Sequence, residues 1–459
     1  MRNEYAETMK KTFLIYPAIY IVTLGICLLF LYLTALIPQQ AIREHAAESA
    51  TYFMNRPLFH KTVGNLENFK ADNYADCIST GIAWHFGEGD TYRAIVAANY
   101  NRAADENVNV SFEKEMLREG AETESYARYW HGSAGVIRVL LLVTDIEGIR
   151  LVTTIMGLLL NGLVVVALIK KKQYALGIFY AVAFLAVNGV FALSCLEYAF
   201  VFLLMPVITL FLLLNKNTTK PSWVQSAFLV TGMLTAFFDF LTAETLTFTV
   251  PFALYYITVG SSQNQAESRK IKRRDDWLLF MKSGMCWCIG YAGMFLSKWG
   301  LAAGVLGKDA FVQSFDMAKE RISGDVSLTL NMAGEKADLG QRLMGIFQRN
   351  AGCLYWGTED MTTGGVVLIT LVAVAVVGIV WYMARKEHYT YDKIWILATV
   401  AFSPVIRFLV VSNHAYIHYF FTYRALLVTV MITLYIVYET TVLSEQKGKN
   451  RRKKHGRKN

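Results

Sequence analysis

The chain has 459 residues, 54% of them hydrophobic, a mean hydropathy of +0.33 and a formal net charge of +9. Uncharged apolar runs of about 20 residues, each long enough to cross ~30 Å of hydrocarbon, recur along it and exclude a soluble globule. The basic excess sits in short clusters beside these runs, a pattern that orients a protein in anionic lipid and argues against a nucleic-acid partner.

Ten runs, 12–37, 149–169, 174–193, 199–214, 224–243, 246–260, 277–296, 363–383, 392–411 and 419–440, predict an all-α polytopic membrane helix bundle of about ten transmembrane helices. The first run follows Lys10 and Lys11 but is too long for a signal-peptide core and lacks a small-residue cleavage pattern, so it reads as a span. A single membrane domain, 1–445, then carries two polar excursions, about 38–148 and about 297–362, and a basic tail, 446–459. Lys and Arg collect at 10–11, 170–172, 216 and 220, 269–274, 385–386 and 447–458. With ten spans all these clusters share one face, which the positive-inside rule makes cytoplasmic, along with both termini. The first excursion then faces outward. Its charge agrees: 38–134 holds nine Lys/Arg against fourteen Asp/Glu, whereas 447–458 holds eight basic residues and no acid.

In the first excursion Gly64–Trp84 and Ser111–Trp130 show helical patterning. Asp72 and Asp76, four apart, would project from one helix face, where a carboxylate pair binds a divalent cation or serves as general base. Tyr126-Ala-Arg-Tyr-Trp-His-Gly132 gathers Tyr126, Arg128, Trp130 and His131. These aromatics suit either an interfacial belt or the stacking of a sugar, and His131 can exchange a proton near neutral pH. Ala134–Val143 contains Arg138 and is too short to span, so it reads as an interfacial or re-entrant helix.

Further along, Phe238-Asp239-Phe240-Leu241-Thr242 and Glu244 place acids in an apolar setting, where an ionisable side chain is expensive and needs a partner or a function. The second excursion opens near Lys298 with an amphipathic segment bearing Phe311, Phe315 and Ile322, suited to lying on lipid, and Arg321 follows within it. The last turn, Ser412–Arg424, holds His414 and His418 at helical spacing with Tyr416 between them, and Arg407 precedes it. The histidines lack a third zinc ligand. Arg407 and Arg424 at the edge of apolar runs suit a phosphate, with Lys298 and Arg321 as further cations. Among the cysteines, none has metal-finger spacing; Cys77 and Cys353 both fall outside the spans and are the one conceivable disulfide. No nucleotide-binding glycine loop or nucleophile elbow is present, so an activated group must arrive attached to a membrane-borne carrier.

This arrangement resembles the GT-C superfamily of polytopic glycosyltransferases, which use polyprenyl-phosphate-linked sugars on the outer face of the bacterial cell membrane. Tyr126–Gly132, Phe238–Thr242, Ser297–Trp299 and Asn413–Arg424 are similar to stretches in multi-span proteins of Gram-positive cell-surface polysaccharide synthesis. The resemblance implies an essential acid in the first outer loop, falling here on Asp76 or else Asp72. The superfamily's adjacent acid doublet is absent, since Asn-Tyr-Ala separates the two. It further implies inverting transfer from a polyprenyl-phosphate-sugar donor to a glycan or lipid acceptor. In that scheme Arg424, Arg407, His418, His414, Lys298 and Arg321 hold the donor phosphate. Tyr126, Arg128, Trp130, His131 and Tyr416 meet sugar or acceptor, and Asp239 with Asp76 are the candidates for a divalent cation, Mg²⁺ or Mn²⁺. The alternatives are a transporter or flippase of lipid-linked glycans, with the intramembrane charges lining a path, and a non-catalytic partner in a polysaccharide assembly complex.

Overall fold

A computed structural model describes residues 2–259, 269–324, 339–354 and 391–439. The run at 363–383 and the tail 446–459 lie outside the described residues. The chain is mostly helical. Helices α1 (Arg2–Ala35), α2 (Gln39–Met54), α3 (Asn73–His85), α4 (Thr91–Ala97), α5 (Val108–Leu117) and α6 (Gly132–Leu140) come first. They are followed by α7 (Ile146–Lys170), α8 (Tyr174–Ala186), α9 (Gly189–Ala192), α10 (Leu196–Leu214), α11 (Pro221–Phe238) and α12 (Leu246–Thr258). After these come α13 (Arg269–Leu306), α14 (Lys308–Ser323), α15 (Leu339–Leu354), α16 (Tyr391–Val410), α17 (Ser412–Ile417) and α18 (Tyr419–Glu439).

Among the described residues six helical segments are long and apolar enough to cross a membrane: Ile15–Ala35, Ile146–Lys170, Leu196–Leu214, Arg274–Leu306, Lys393–Val410 and Tyr419–Glu439. Helices α8 and α12 are apolar but shorter, 13 residues each. The expected run 174–193 is broken because Asn188 adopts a left-handed conformation, φ 53°, between α8 and α9. The run 277–296 lies within a 38-residue helix, α13, so Lys298 stands on a continuous helix and not in the second excursion. Helix α14 matches the expected amphipathic segment, and Phe311, Phe315 and Ile322 are exposed on it. All six cysteines are free, Cys77 and Cys353 included.

The first excursion is a small folded unit, and side chains cap the starts of two of its helices and of the helix that follows it. Asp72, Asp90 and Asp145 accept from the backbone N–H groups of Ala75, Arg93 and Gly148 at the starts of α3, α4 and α7. Helical pattern before Asn73 gives way to an antiparallel pair, β1 (Phe59–Lys61) with β2 (Lys70–Asp72). The pattern after Leu117 gives way to a second pair, β3 (Asn99–Asn101) with β4 (Thr123–Ser125). These hairpins are the departure from an all-α fold.

Arg138 ties this unit to the first span. It is fully buried on α6 and donates to the carbonyls of Thr34 (3.0 Å), Ile37, Ala83 and Trp84 (2.9 Å) at the C-terminal ends of α1 and α3. Small residues bring α11 against α13, since a Cβ on Gly232 would meet the Trp287 carbonyl and one on Gly290 the Leu229 carbonyl.

Candidate functional site

A cavity of about 290 Å³ opens where the first excursion, the start of α10, α14 and α17 come together. Its acids are Asp72, Glu124 and Glu197, and its cations are Arg102, Arg128 and Arg321, with His414 and His418 beside them. Phe59, Tyr74, Tyr100, Tyr126, Tyr129, Phe240 and Phe421 supply the aromatic wall. A second cleft of about 370 Å³ shares Glu124, Arg128 and Met317 with the first and runs along α14 past Gln313, Asp316 and Glu320.

Asp72 reaches the cavity because β2 ends there and α3 begins. Its Oδ1 accepts the Ala75 N–H at 2.9 Å, and the Glu197 carboxyl lies within hydrogen-bonding reach. Two carboxyl groups so placed share a proton. Burial pushes the Asp72 carboxyl up to about 6, against the pull of the Ala75 and Glu197 hydrogen bonds and with help from the Asp76 charge. A carboxylate tuned in this way is matched to accepting a proton near neutral pH.

Also in the lining, Arg321, carried on α14, donates from Nη1 to His418 Nε2 at 3.1 Å. Arg has no acceptor, so His418 Nε2 is unprotonated and its Nδ1 bears the hydrogen in the neutral ring. The His414 ring packs 4.6 Å from His418. Burial, then for His414 its neighbour His418, and for both the charges of Arg321 and Arg407, hold the two imidazoles well below the ordinary histidine range. The C-terminal end of α14 is docked on the same turn, as Ser412 donates to the Ile322 carbonyl and Asn413 to that of Glu320.

Arg128 stacks over Tyr126 at 3.9 Å, and its Nε has no partner. His131, in a left-handed conformation with φ 58°, donates from Nε2 to the Tyr126 carbonyl at 2.8 Å and packs on Tyr126 and Phe240. Burial and the nearby Lys298 push its pKa down to about 3, so the ring is neutral.

The expected site residues therefore divide. Asp72, Arg128, His131, Tyr126, Arg321, His414 and His418 line one cavity. Asp76 does not: it is buried, and its carboxylate accepts from Arg150 and from the backbone N–H groups of Leu196 and Glu197. Arg407 is also outside the lining, paired with Glu244 (2.9 and 3.3 Å) and bound to the Leu241 carbonyl (2.6 Å). Asp239 closes a turn on Thr242, which turns Phe240 toward the cavity.

Trp130 donates to Met294 and is buried, and Lys298 donates to the carbonyls of Ile95 and Val96 at the end of α4, where a cation caps helix carbonyls. Tyr416 lies under the Arg349 guanidinium at 4.2 Å, and Arg424 donates to the carbonyls of Phe420 and Asn68; neither lines the cavity.

Neither Asp76 nor Asp239, the candidates for Mg²⁺ or Mn²⁺, lines the cavity, and both carboxylates accept hydrogen bonds from neighbouring groups. Among the described residues no group of three His, Cys, Asp or Glu side chains is arranged to hold a metal ion. Glu197 is the residue that sequence reasoning passed over. Its signal was present: a lone acid at the very start of an apolar helix.

No family model, curated protein or solved structure matches the chain.

Proposed function

We propose that the protein is a membrane glycosyltransferase that moves a sugar from a polyprenyl-phosphate-linked donor to a hydroxyl of a cell-envelope glycan or lipid. In this reading ten spans thread a bacterial cell membrane, both termini are cytoplasmic and the cavity faces the outer side. The observation that carries the reading is that an acid pair, Asp72 and Glu197, and two arginines, Arg128 and Arg321, line one aromatic-walled cavity.

Asp72 takes the proton of the acceptor hydroxyl, whose oxygen forms the new bond to the anomeric carbon. The bond between that carbon and the phosphate oxygen breaks, and polyprenyl phosphate leaves with the electron pair. One displacement inverts the centre and needs one base. Arg321 and Arg128 meet the charge growing on the departing phosphate, and aromatic faces such as Tyr126 and Tyr100 carry the sugar. Asp76 belongs to the scaffold that sets the acid pair. No step runs through a metal.

The test is release of polyprenyl phosphate from a panel of polyprenyl-phosphate sugars by the purified protein. Release that disappears in Asp72→Asn supports the reading. No release from any donor, or full release by Asp72→Asn, overturns it; donor translocation across vesicles would then favour a transporter.

A further inference from the structure

Arg424, Asn68 and Tyr198 form a second polar cluster, and none of them lines the cavity. Asn68 sits in the 3-10 turn Glu67–Phe69 of the first excursion, Tyr198 in the first turn of α10 and Arg424 near the start of α18. All three are nearly inaccessible, with 0%, 1% and 1% of their surface exposed. The Arg424 guanidinium lies 4.6 Å from the centre of the Tyr198 ring, and its Nη2 donates to the Asn68 carbonyl at 3.3 Å.

Each of the three retains an unpartnered donor, Arg424 Nε, Asn68 Nδ2 and the Tyr198 hydroxyl, and the Asn68 Oδ1 acceptor is unpartnered as well. Buried donors normally have partners, so three such orphans on adjoining residues point to a shared one. Charge narrows the choice further. Arginine is a cation, and among the described residues no ion pair joins Arg424 to a carboxylate. Water supplies acceptors but no countercharge. A lipid headgroup is too large for side chains this enclosed.

We propose that Arg424, Asn68 and Tyr198 bind a small inorganic monoanion of the halide class, chloride being the ordinary occupant. The anion neutralises the guanidinium and accepts from all three donors. It joins the first excursion to α10 and the last helix, so its effect is on the stability of that junction and does not depend on the proposed transfer reaction.

The experiment measures thermal unfolding of the full-length protein in detergent with sodium chloride, sodium bromide or sodium gluconate at equal ionic strength. Chloride and bromide should raise the unfolding temperature saturably above gluconate. Asn68→Asp replaces the amide donor by a carboxylate, which repels an anion, and should abolish the halide dependence. Tyr198→Phe, which loses one donor and keeps the ring, should move the half-saturating halide concentration several-fold upward. That second variant decides the matter if Asn68→Asp does not fold. Equal unfolding temperatures in chloride and gluconate, or a halide response unchanged in these variants, would overturn the site.

Discussion

Arg150 Nε and Nη2 lie 2.9 and 2.6 Å from the same oxygen of Asp76, linking the first turn of α7 to α3. The guanidinium also donates to Asn73 and to the Tyr52 hydroxyl, while Asp76 receives two backbone N–H groups at the start of α10. Removing one partner of such a buried pair leaves the other charge stranded, at a cost of about 3–5 kcal/mol. Asp76→Ala should therefore lower the unfolding temperature sharply. Asp72→Asn should not be destabilised, because Asn still caps the Ala75 N–H and buries no charge. Chemical denaturation of the two variants in detergent separates scaffold from chemistry; equal destabilisation would contradict this division.

The pH response of Asp72 has two opposed parts. Its folded pKa of about 6 lies above the ordinary 3.8, so the protonated carboxyl favours the folded state. That contribution to stability is complete below 3.8 and is lost as pH rises through 6. The proposed base function runs the other way, since only the ionised form accepts a proton. Transfer should climb as pH rises through about 6, while the Asp72 share of stability falls over the same window. Asp72→Asn should flatten the stability change between pH 4 and pH 7, read by thermal unfolding in matched buffers.

The apolar segments were legible because spanning length and composition act locally, and the amphipathic α14 was legible from its spacing. The choice between Asp72 and Asp76 was not. Both acids begin the same helix, and their roles depend on Arg150, 74 positions from Asp76, and on Glu197 from another helix. Lys298 and Arg407 show the same limit. A cation near an apolar end suggests a phosphate, yet one caps α4 and the other is paired with Glu244. Partners brought by tertiary packing decide which buried charges remain available, and single-sequence spacing does not contain them.

Arg321 should be the most sensitive cation for the proposed transfer, because it is the cavity arginine that α14 carries onto His418. Loss of one preorganised stabiliser of developing charge costs about 10²–10³ in rate. Arg321→Ala should show a loss of that size in polyprenyl phosphate release. His418→Phe removes the acceptor that orients the guanidinium and should give a smaller loss, partly restored by His418→Gln, whose carbonyl can accept the same hydrogen bond. If His418→Gln were as impaired as His418→Phe, orientation of Arg321 would not be its role.

Gly87 tests the junction between the first span and the folded excursion. A Cβ at this position would collide with the Arg138 guanidinium, which is held by carbonyls on two helix ends and has no slack to retreat. Gly87→Ala should therefore cost about 1–3 kcal/mol, the range for forced overpacking. An alanine on the open Gly64 turn tests a different physics, because φ is 51° there and nothing lies within 4 Å. Its cost is backbone strain alone, about 1–2 kcal/mol. The two variants separate when each is combined with Arg138→Met. Shortening the crowded side chain should relieve Gly87→Ala and leave the Gly64→Ala increment unchanged, since contacting sites couple and distant ones add. A double-mutant cycle on unfolding free energy reads the difference, and strict additivity between Gly87→Ala and Arg138→Met would show that the clamp is not what excludes a side chain at position 87.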